Sequence, residues 1–370
     1  MTRPDAQHTA VRDDELRRFL LHDDIIVRES VAFYLFESWS TDDDLIPLVL
    51  EGCRRFGEES SLATLGFASR YPWSTGALLD AVQELERSHP PYLEDWVACA
   101  PLPLLHSHVE LLRSVLSLPA RARIERRQKL STMTANALWR KLVEVAHRID
   151  ASGSDHERRY ELRDIEEAFA SRVSREAILE RLRQLDRMPG HRLELCLIEL
   201  AGINALHEFV PNLVERLGDP DDTVADATAD ALARMGGSLA TRLIRKQYRT
   251  RPWDFRLYAI GVLQAIKTRA SETTLRSLLD HEDDPALRGR VFDALRFHFT
   301  DEAAALMRQE ILEPTSWMLD DELKKAVYVN SRLLGRDDPE AEAWVHDENF
   351  LVDESILFHI PVMDLGDAPT

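Results

Sequence analysis

The feature of this sequence that most constrains its fold is a repeat of about 32 residues in the C-terminal half. Four segments begin at or near a proline and carry a leucine late in an apolar pattern, at Leu200, Leu232, Leu263 and Leu295. Successive leucines are separated by 32, 31 and 32 residues. A period held that closely is typical of a repeat array, in which each unit is one supersecondary element.

Each repeat has the pattern of a helical hairpin. Apolar residues of the first segment recur at helical spacing, as at Val291, Leu295 and Phe299, and Asp or Pro stands where a helix would begin. A second apolar run follows a short turn, at 206–218, 238–248, 271–279 and 301–312. Since one hairpin cannot bury both apolar faces alone, we expect stability to be a sum over contacts between sequential neighbours. The pattern predicts an all-α fold with about 70% helix, well above the usual third.

The segment GDPDDTVADATADALARMG resembles the Asp-Pro turn and first helix of the HEAT-like repeats found in phycobilisome lyases and many bacterial scaffold proteins. The resemblance covers about 190–335, and 22–57 resembles a further unit. It implies a right-handed α-solenoid, a HEAT-like superhelix of roughly eight to ten hairpins in an elongated or curved body about 80 Å long. In such solenoids the second helix of each hairpin usually lines the concave side.

The pattern divides the chain into three parts. Residues 1–150 are predicted to form an N-terminal helical array, degenerate in its second half, and residues 151–336 the C-terminal repeat array. Between the clean repeats the apolar spacing predicts helices over 104–118, 133–149 and 160–187. The segment 150–157 is either a hinge between the arrays or an ordinary loop within one solenoid. Residues 337–370 hold ten acids, no Lys or Arg and many apolar residues, which predicts either a cap on the last hairpin or a docking segment for another chain.

Composition narrows the class of protein further. With 44% hydrophobic and 30% charged residues, the chain is predicted to fold rather than remain disordered. Three widely separated cysteines exclude a disulfide framework and the usual zinc-thiolate spacing. No segment approaches about 18 consecutive apolar residues, so we expect no membrane span and a cytoplasmic location.

Sequence motifs give no support for catalysis. The chain has no GxxxxGK[ST], GxGxxG, HExxH or GxSxG motif. The His-Glu dipeptides at 156, 207 and 281 are similar to the iron-binding pairs of deoxyhypusine hydroxylase, a HEAT-repeat enzyme, but they stand at different places in the repeats. We therefore predict a protein that is not an enzyme and uses no metal or cofactor.

Residues 241–270 reverse the charge of a chain whose net charge is −19, since they hold eight basic residues and the single acid Asp254. The predicted helix 238–249 places four of the basic residues on one face. They are Arg242, Arg245, Lys246 and Arg249. Arg251 and Arg256 follow in the chain. This stretch is either a solvated helix face or an anion-binding surface.

On the second interpretation the protein is a non-catalytic scaffold or adaptor that binds a partner protein, through an acidic segment, in the solenoid groove. Tyr248, Trp253 and Tyr258 are near enough in sequence to add stacking, but the net negative charge disfavours nucleic acid. The alternative is an enzyme on the same fold, acting on a protein-bound group or on nucleic acid. Trp253-Asp254 resembles the aromatic residues and catalytic Asp of HEAT-like DNA glycosylases.

A second basic stretch, PARARIERRQK at 119–129, contains five cations and one acid. It is predicted to be a short helix that is either solvated or in contact with a partner or an anionic surface. Apart from Ile124 it lacks the apolar side that membrane insertion would require.

Overall fold

The computed structural model describes residues 13–38, 40, 42–57, 71–88, 91–152, 156–183, 191–316 and 320–346. This part of the chain is 80% helical and contains no strand, which confirms the all-α prediction. Over the same ranges, the length and hydropathy of every helix fall short of what crossing a bilayer demands.

The N-terminal half is built from short and medium-length helices. These are α1 (Asp13–Leu16), α2 (Ile25–Glu37), α3 (Leu45–Phe56), α4 (Thr75–Ser88), α5 (Pro91–Cys99), α6 (Leu102–Ser107), α7 (Val109–Val115), α8 (Leu118–Ser131) and α9 (Ala135–Ser152). The prediction of a single helix over 104–118 is wrong, because the helix is interrupted at His108, which separates α6 from α7. The predicted helix 133–149 is confirmed as α9.

The C-terminal half follows the repeat pattern more closely. Its helices are α10 (His156–Ala170), α11 (Arg175–Leu182), α12 (His191–Ile203), α13 (Val210–Arg216), α14 (Asp222–Met235), α15 (Ser238–Gln247), α16 (Trp253–Ile266), α17 (Arg269–Leu279), α18 (Pro285–Leu295), α19 (Asp301–Leu312), α20 (Asp320–Leu333) and α21 (Pro339–Val345). The helix predicted over 160–187 is divided, because the Ser174 side chain caps α11 by accepting a hydrogen bond from the Ala177 amide. The proposed hinge at 150–157 includes residues 153–155, which lie outside the described residues.

The repeat helices pack in two rows. First helices α12, α14, α16 and α18 contact one another in that order, and second helices α13, α15 and α17 do the same. The four repeat leucines are fully buried, which confirms them as core positions. Neighbouring first helices approach closely at Gly202, where a Cβ would lie 3.0 Å from the Ala231 Cα, so glycine suits this crossing.

A contact that the repeat pattern did not predict joins the N-terminal helix α2 to the C-terminal units. The Phe33 and Phe297 rings lie 4.6 Å apart, and those of Tyr34 and Phe299 lie 5.1 Å apart. The Lys267 ammonium donates a 2.9 Å hydrogen bond to the Tyr34 carbonyl. Because α2 also packs on α20, the expectation that each unit contacts only its sequential neighbours is wrong. We call this contact the seam.

Candidate partner-binding surface

Helix α15 has one buried and one exposed side. Its core side holds Ala240, Thr241 and Ile244. The helix starts after a two-glycine turn, in which Gly236 and Gly237 have φ values of 64° and 97°, a conformation that favours glycine. After this turn α15 enters the second row, between α13 and α17. The opposite side of α15 is left facing outward.

That exposed side carries the predicted cations. Arg242, Arg245, Lys246 and Arg249 are all exposed; they are called the basic face below. Within the described ranges none of the four makes an ion pair or hydrogen bond through its side chain. The structure thus places these four predicted site residues together, as the helical spacing indicated.

The other two predicted site residues are half-buried and pair with acidic residues of the fold. The Arg251 guanidinium pairs with the Glu215 carboxylate and also contacts the Gln247 side chain. The Arg256 guanidinium donates to both carboxylate oxygens of Glu282, at 2.8 and 2.9 Å. Their place in a partner-binding set stays a prediction, and each already neutralises an acid of a neighbouring unit.

The aromatic residues near the basic face are also mostly engaged. Tyr248 is buried and its hydroxyl donates a 2.8 Å hydrogen bond to Glu282; burial, reinforced by that carboxylate, raises the pKa of Tyr248. The Tyr258 hydroxyl donates to the Asp222 carbonyl. Burial, with the nearby Asp222 and Asp226, raises the pKa of Tyr258 to about 12. Trp253, 41% exposed, is the member of this group whose ring is most open to stacking.

A polar cleft of about 430 Å³ lies beside the basic face. Its lining residues are Tyr248, Arg249, Arg256, Leu278, Asp280, His281, Glu282 and Asp283. Arg249 belongs to both the cleft and the basic face. Neither Trp253 nor Asp254 lines the cleft. The pair that resembles a glycosylase site therefore lies at the start of α16, outside this cleft.

Three of the five cations in the second basic stretch converge on one buried carboxylate. In α8, Arg123, Arg126 and Arg127 approach Asp164 of α10 at 3.6, 3.0 and 3.6 Å. Asp164 is only 3% exposed. Arg127 also donates to the Ala98 and Ala100 carbonyls, at 2.6 and 2.8 Å. The solvated interpretation is therefore wrong for Arg123 and Arg127, which are mostly buried beside this carboxylate, whereas the Arg126 side chain is 39% exposed.

Two arginines that were not predicted from the sequence occupy the position of Arg245 in the next two second helices. Arg245, Arg276 and Arg308 are each the eighth residue of their helix, in α15, α17 and α19. Their separations of 31 and 32 residues match those of the repeat leucines, and that match is the signal that would have found them. We call these three residues the arginine row.

The described part of the acidic C-terminal segment forms α21, which packs on the preceding helix. Helix α21 packs on α20 and buries Ala341. Asp338 caps α21 by accepting from the Ala341 amide at 3.2 Å, and Asp338 and Glu340 pair with Arg308. The rest of that segment, 347–370, lies outside the described residues. Over the described ranges no group of three His, Cys, Asp or Glu side chains could hold a metal ion.

Comparisons with known proteins give no family for this chain. No protein-family model matches it, and no curated protein is significantly similar to it.

Proposed function

We propose that this protein is a non-catalytic scaffold or adaptor, built as a HEAT-like α-solenoid, whose basic face binds an acidic segment of a partner protein. The observation that carries the proposal is the basic face itself: four exposed cations on one helix, without an anionic partner in the described part of a chain of net charge −19. Like charges three and four residues apart on a helix repel one another. An acidic ligand would relieve that repulsion.

The packing supports the solenoid part of the proposal. First and second helices lie in separate rows and the repeat leucines share one buried position, as stacked hairpins require. The basic face belongs to the second row, which in a HEAT-like superhelix lines the concave surface. A cytoplasmic location completes the proposal.

Charge favours a peptide over nucleic acid as the ligand. The net charge of −19 opposes the approach of a long polyanion. Dedicated nucleic-acid surfaces extend a basic groove along many phosphates, whereas Arg251 and Arg256, which would lengthen this surface, are neutralised by acids of the fold. A short acidic segment needs only the cations of one helix.

The test is a binding titration with two probes, a fluorescein-labelled peptide rich in Glu and Asp with one Trp, and a labelled single-stranded oligonucleotide. The test variant carries Arg242→Glu, Arg245→Glu, Lys246→Glu and Arg249→Glu. A matched control carries Arg113→Glu, Lys129→Glu, Arg140→Glu and Arg148→Glu, which reverses four exposed cations elsewhere and changes the net charge equally.

The proposal expects the parent and the control to bind the peptide and the basic-face variant to lose binding. Equal loss in both variants would show a net-charge effect only and would overturn it. Binding of the oligonucleotide without the peptide would favour the nucleic-acid alternative. Affinity capture from the native host with each variant, followed by mass spectrometry, would then identify the partner.

A further inference from the structure

The arginine row runs across three neighbouring second helices. Equivalent positions in stacked units face the same direction, and Arg245, Arg276 and Arg308 occupy one such position in α15, α17 and α19. Helices α15 and α17 are in direct contact. Thr300, which caps α19, donates to Glu272 of α17 at 2.8 Å, so these two helices are also joined.

One end of the row already holds an acidic segment of this chain. The Arg308 guanidinium lies 2.7 Å from the Glu340 carboxylate and also pairs with Asp338. The Trp344 ring centroid lies 5.2 Å from the same guanidinium. Charge-assisted hydrogen bonds combined with a cation–π contact are a strong mode of arginine recognition. Helix α21 thus shows which ligand chemistry the row accepts: acids followed by an aromatic side chain.

The arginines of the row have fewer acidic contacts the farther they lie from α21, so they can bind more acidic side chains. Arg276 is 40% exposed, and within the described ranges its acidic contact is with Glu272 of its own helix, at 3.8 Å. Arg245 is exposed and belongs to the basic face, where it has no such partner in the described part of the chain. The row therefore passes from an occupied end at Arg308 to an unneutralised end at α15.

The chain that follows α21 matches this unneutralised end. Residues 347–370 contain six acids, no Lys or Arg, and two phenylalanines. They begin next to the helix that is seated on Arg308. Fully extended, 24 residues span roughly 80 Å, whereas two helix spacings of 8 to 10 Å amount to about 20 Å. Both length and charge therefore suit residues 347–370 to the rest of the row.

We propose that residues 347–370 continue along the arginine row from Arg308 past Arg276 to the basic face, and so occupy in cis the surface that a partner's acidic segment takes. This inference rests on the proposed function, because it requires the basic face to bind acidic peptides. The protein would then be autoinhibited, because a partner binds the basic face only by displacing residues 347–370.

The test uses the chain ending at His346, which keeps α21 and its contacts with Arg308. The probe is a labelled synthetic peptide of residues 347–370 added in trans. We expect the truncated protein to bind this peptide about tenfold more tightly than the full chain, since a tethered segment competes at a millimolar effective concentration. The gain should shrink above 0.3 M salt, where the Debye length falls below about 6 Å.

Two sets of variants keep the test decisive. In the truncated protein, Arg245→Glu with Arg276→Glu should weaken binding, whereas Arg140→Glu with Arg148→Glu should leave it unchanged. In the full chain, Asp353→Asn, Glu354→Gln, Asp364→Asn and Asp367→Asn should reproduce the gain of truncation. If the truncated protein aggregates, these variants of the full chain test the inference in its place.

The outcomes separate this inference from the proposed function. Equal affinity of full and truncated chains for the tail peptide overturns the inference, while binding of the Glu- and Asp-rich peptide to both leaves the proposed function standing. If no form binds either peptide, the proposed function fails as well. A full chain that dimerises in ultracentrifugation, with a monomeric truncated form, would place the tail on a second copy and overturn cis occupancy.

Discussion

Helices α8 and α15 both contain a dense run of basic residues, yet the structure uses the two runs in opposite ways. In α8 three guanidiniums converge on the buried carboxylate of Asp164. In α15 four cations point outward and find no anion in the described part of the chain. The difference shows that a basic run acquires its role from what packs against it. Composition does not assign that role.

Packing explains why the two helices differ. Helix α8 contacts both α5 and α10, so its polar side chains are partly covered and a covered cation needs acceptors. Arg127, only 6% exposed, finds them in Asp164, Glu167 and two backbone carbonyls. Among the described residues helix α15 is covered on its apolar side only, which leaves its four cations exposed.

The largest expected effect is on stability, from Arg127→Ala in α8. This change removes the donors of two buried carbonyls and one cation beside Asp164, and we expect the free energy of unfolding to fall by about 3 to 5 kcal/mol. Urea denaturation measures it. Arg245→Ala in α15 is the matched control and should stay within about 0.5 kcal/mol of the parent. Similar losses in the two variants would break the comparison.

The next largest effect tests whether the repeat units around α15 are structurally equivalent. Leu232→Ala, Leu263→Ala and Leu295→Ala each remove a fully buried side chain and should cost about 2 to 5 kcal/mol of stability. Thermal and urea unfolding measure the loss. Leu312, 80% exposed, is the control, and its replacement by Ala should be nearly neutral. A neutral result at any one of the three buried leucines would contradict the shared register.

A smaller effect concerns charge buried at the seam. Burial and the nearby Lys267 ammonium lower the pKa of His298 to about 3. The unfolded chain, with a histidine pKa near 6.5, then binds the proton more readily, so stability falls as the pH drops through 6.5.

Between pH 7.5 and 5 we expect this histidine to cost about 2 kcal/mol of stability. The measurement is urea unfolding of the parent and of His298→Leu across that pH range. Subtracting the two curves removes the contributions of other titrating groups. Parallel curves would show that His298 is not desolvated in the folded protein.

The sequence predicted what repeats locally and missed what depends on distant partners. The leucine spacing predicts the two rows, and the spacing of three and four residues predicts the basic face of α15. The seam joins Lys267 to Tyr34, 233 residues away in the chain, and no local pattern encodes such a contact. Arg256 looked like part of the basic surface because its partner, Glu282, belongs to the next unit.

The smallest effect on stability is expected for the basic face, and it is also the most direct test of the comparison between α8 and α15. In the chain ending at His346, so that the acidic tail cannot contribute, Arg242, Arg245, Lys246 and Arg249 are each replaced by Ala. Each change should alter the free energy of unfolding by no more than about 0.5 kcal/mol.

The sign of that small effect separates solvated cations from engaged ones. Like charges three and four residues apart on α15 repel by about 0.2 to 0.5 kcal/mol per pair, so at low salt the alanine variants should be slightly more stable than their parent. The gain should vanish near 1 M salt, where the Debye length is about 3 Å. Arg123→Ala in α8, measured alongside, should lose stability at both salt concentrations. A loss above about 1 kcal/mol at any of the four positions in α15, beyond the range of ordinary surface substitutions, would mean that the fold itself holds that cation, and α15 would then belong with α8.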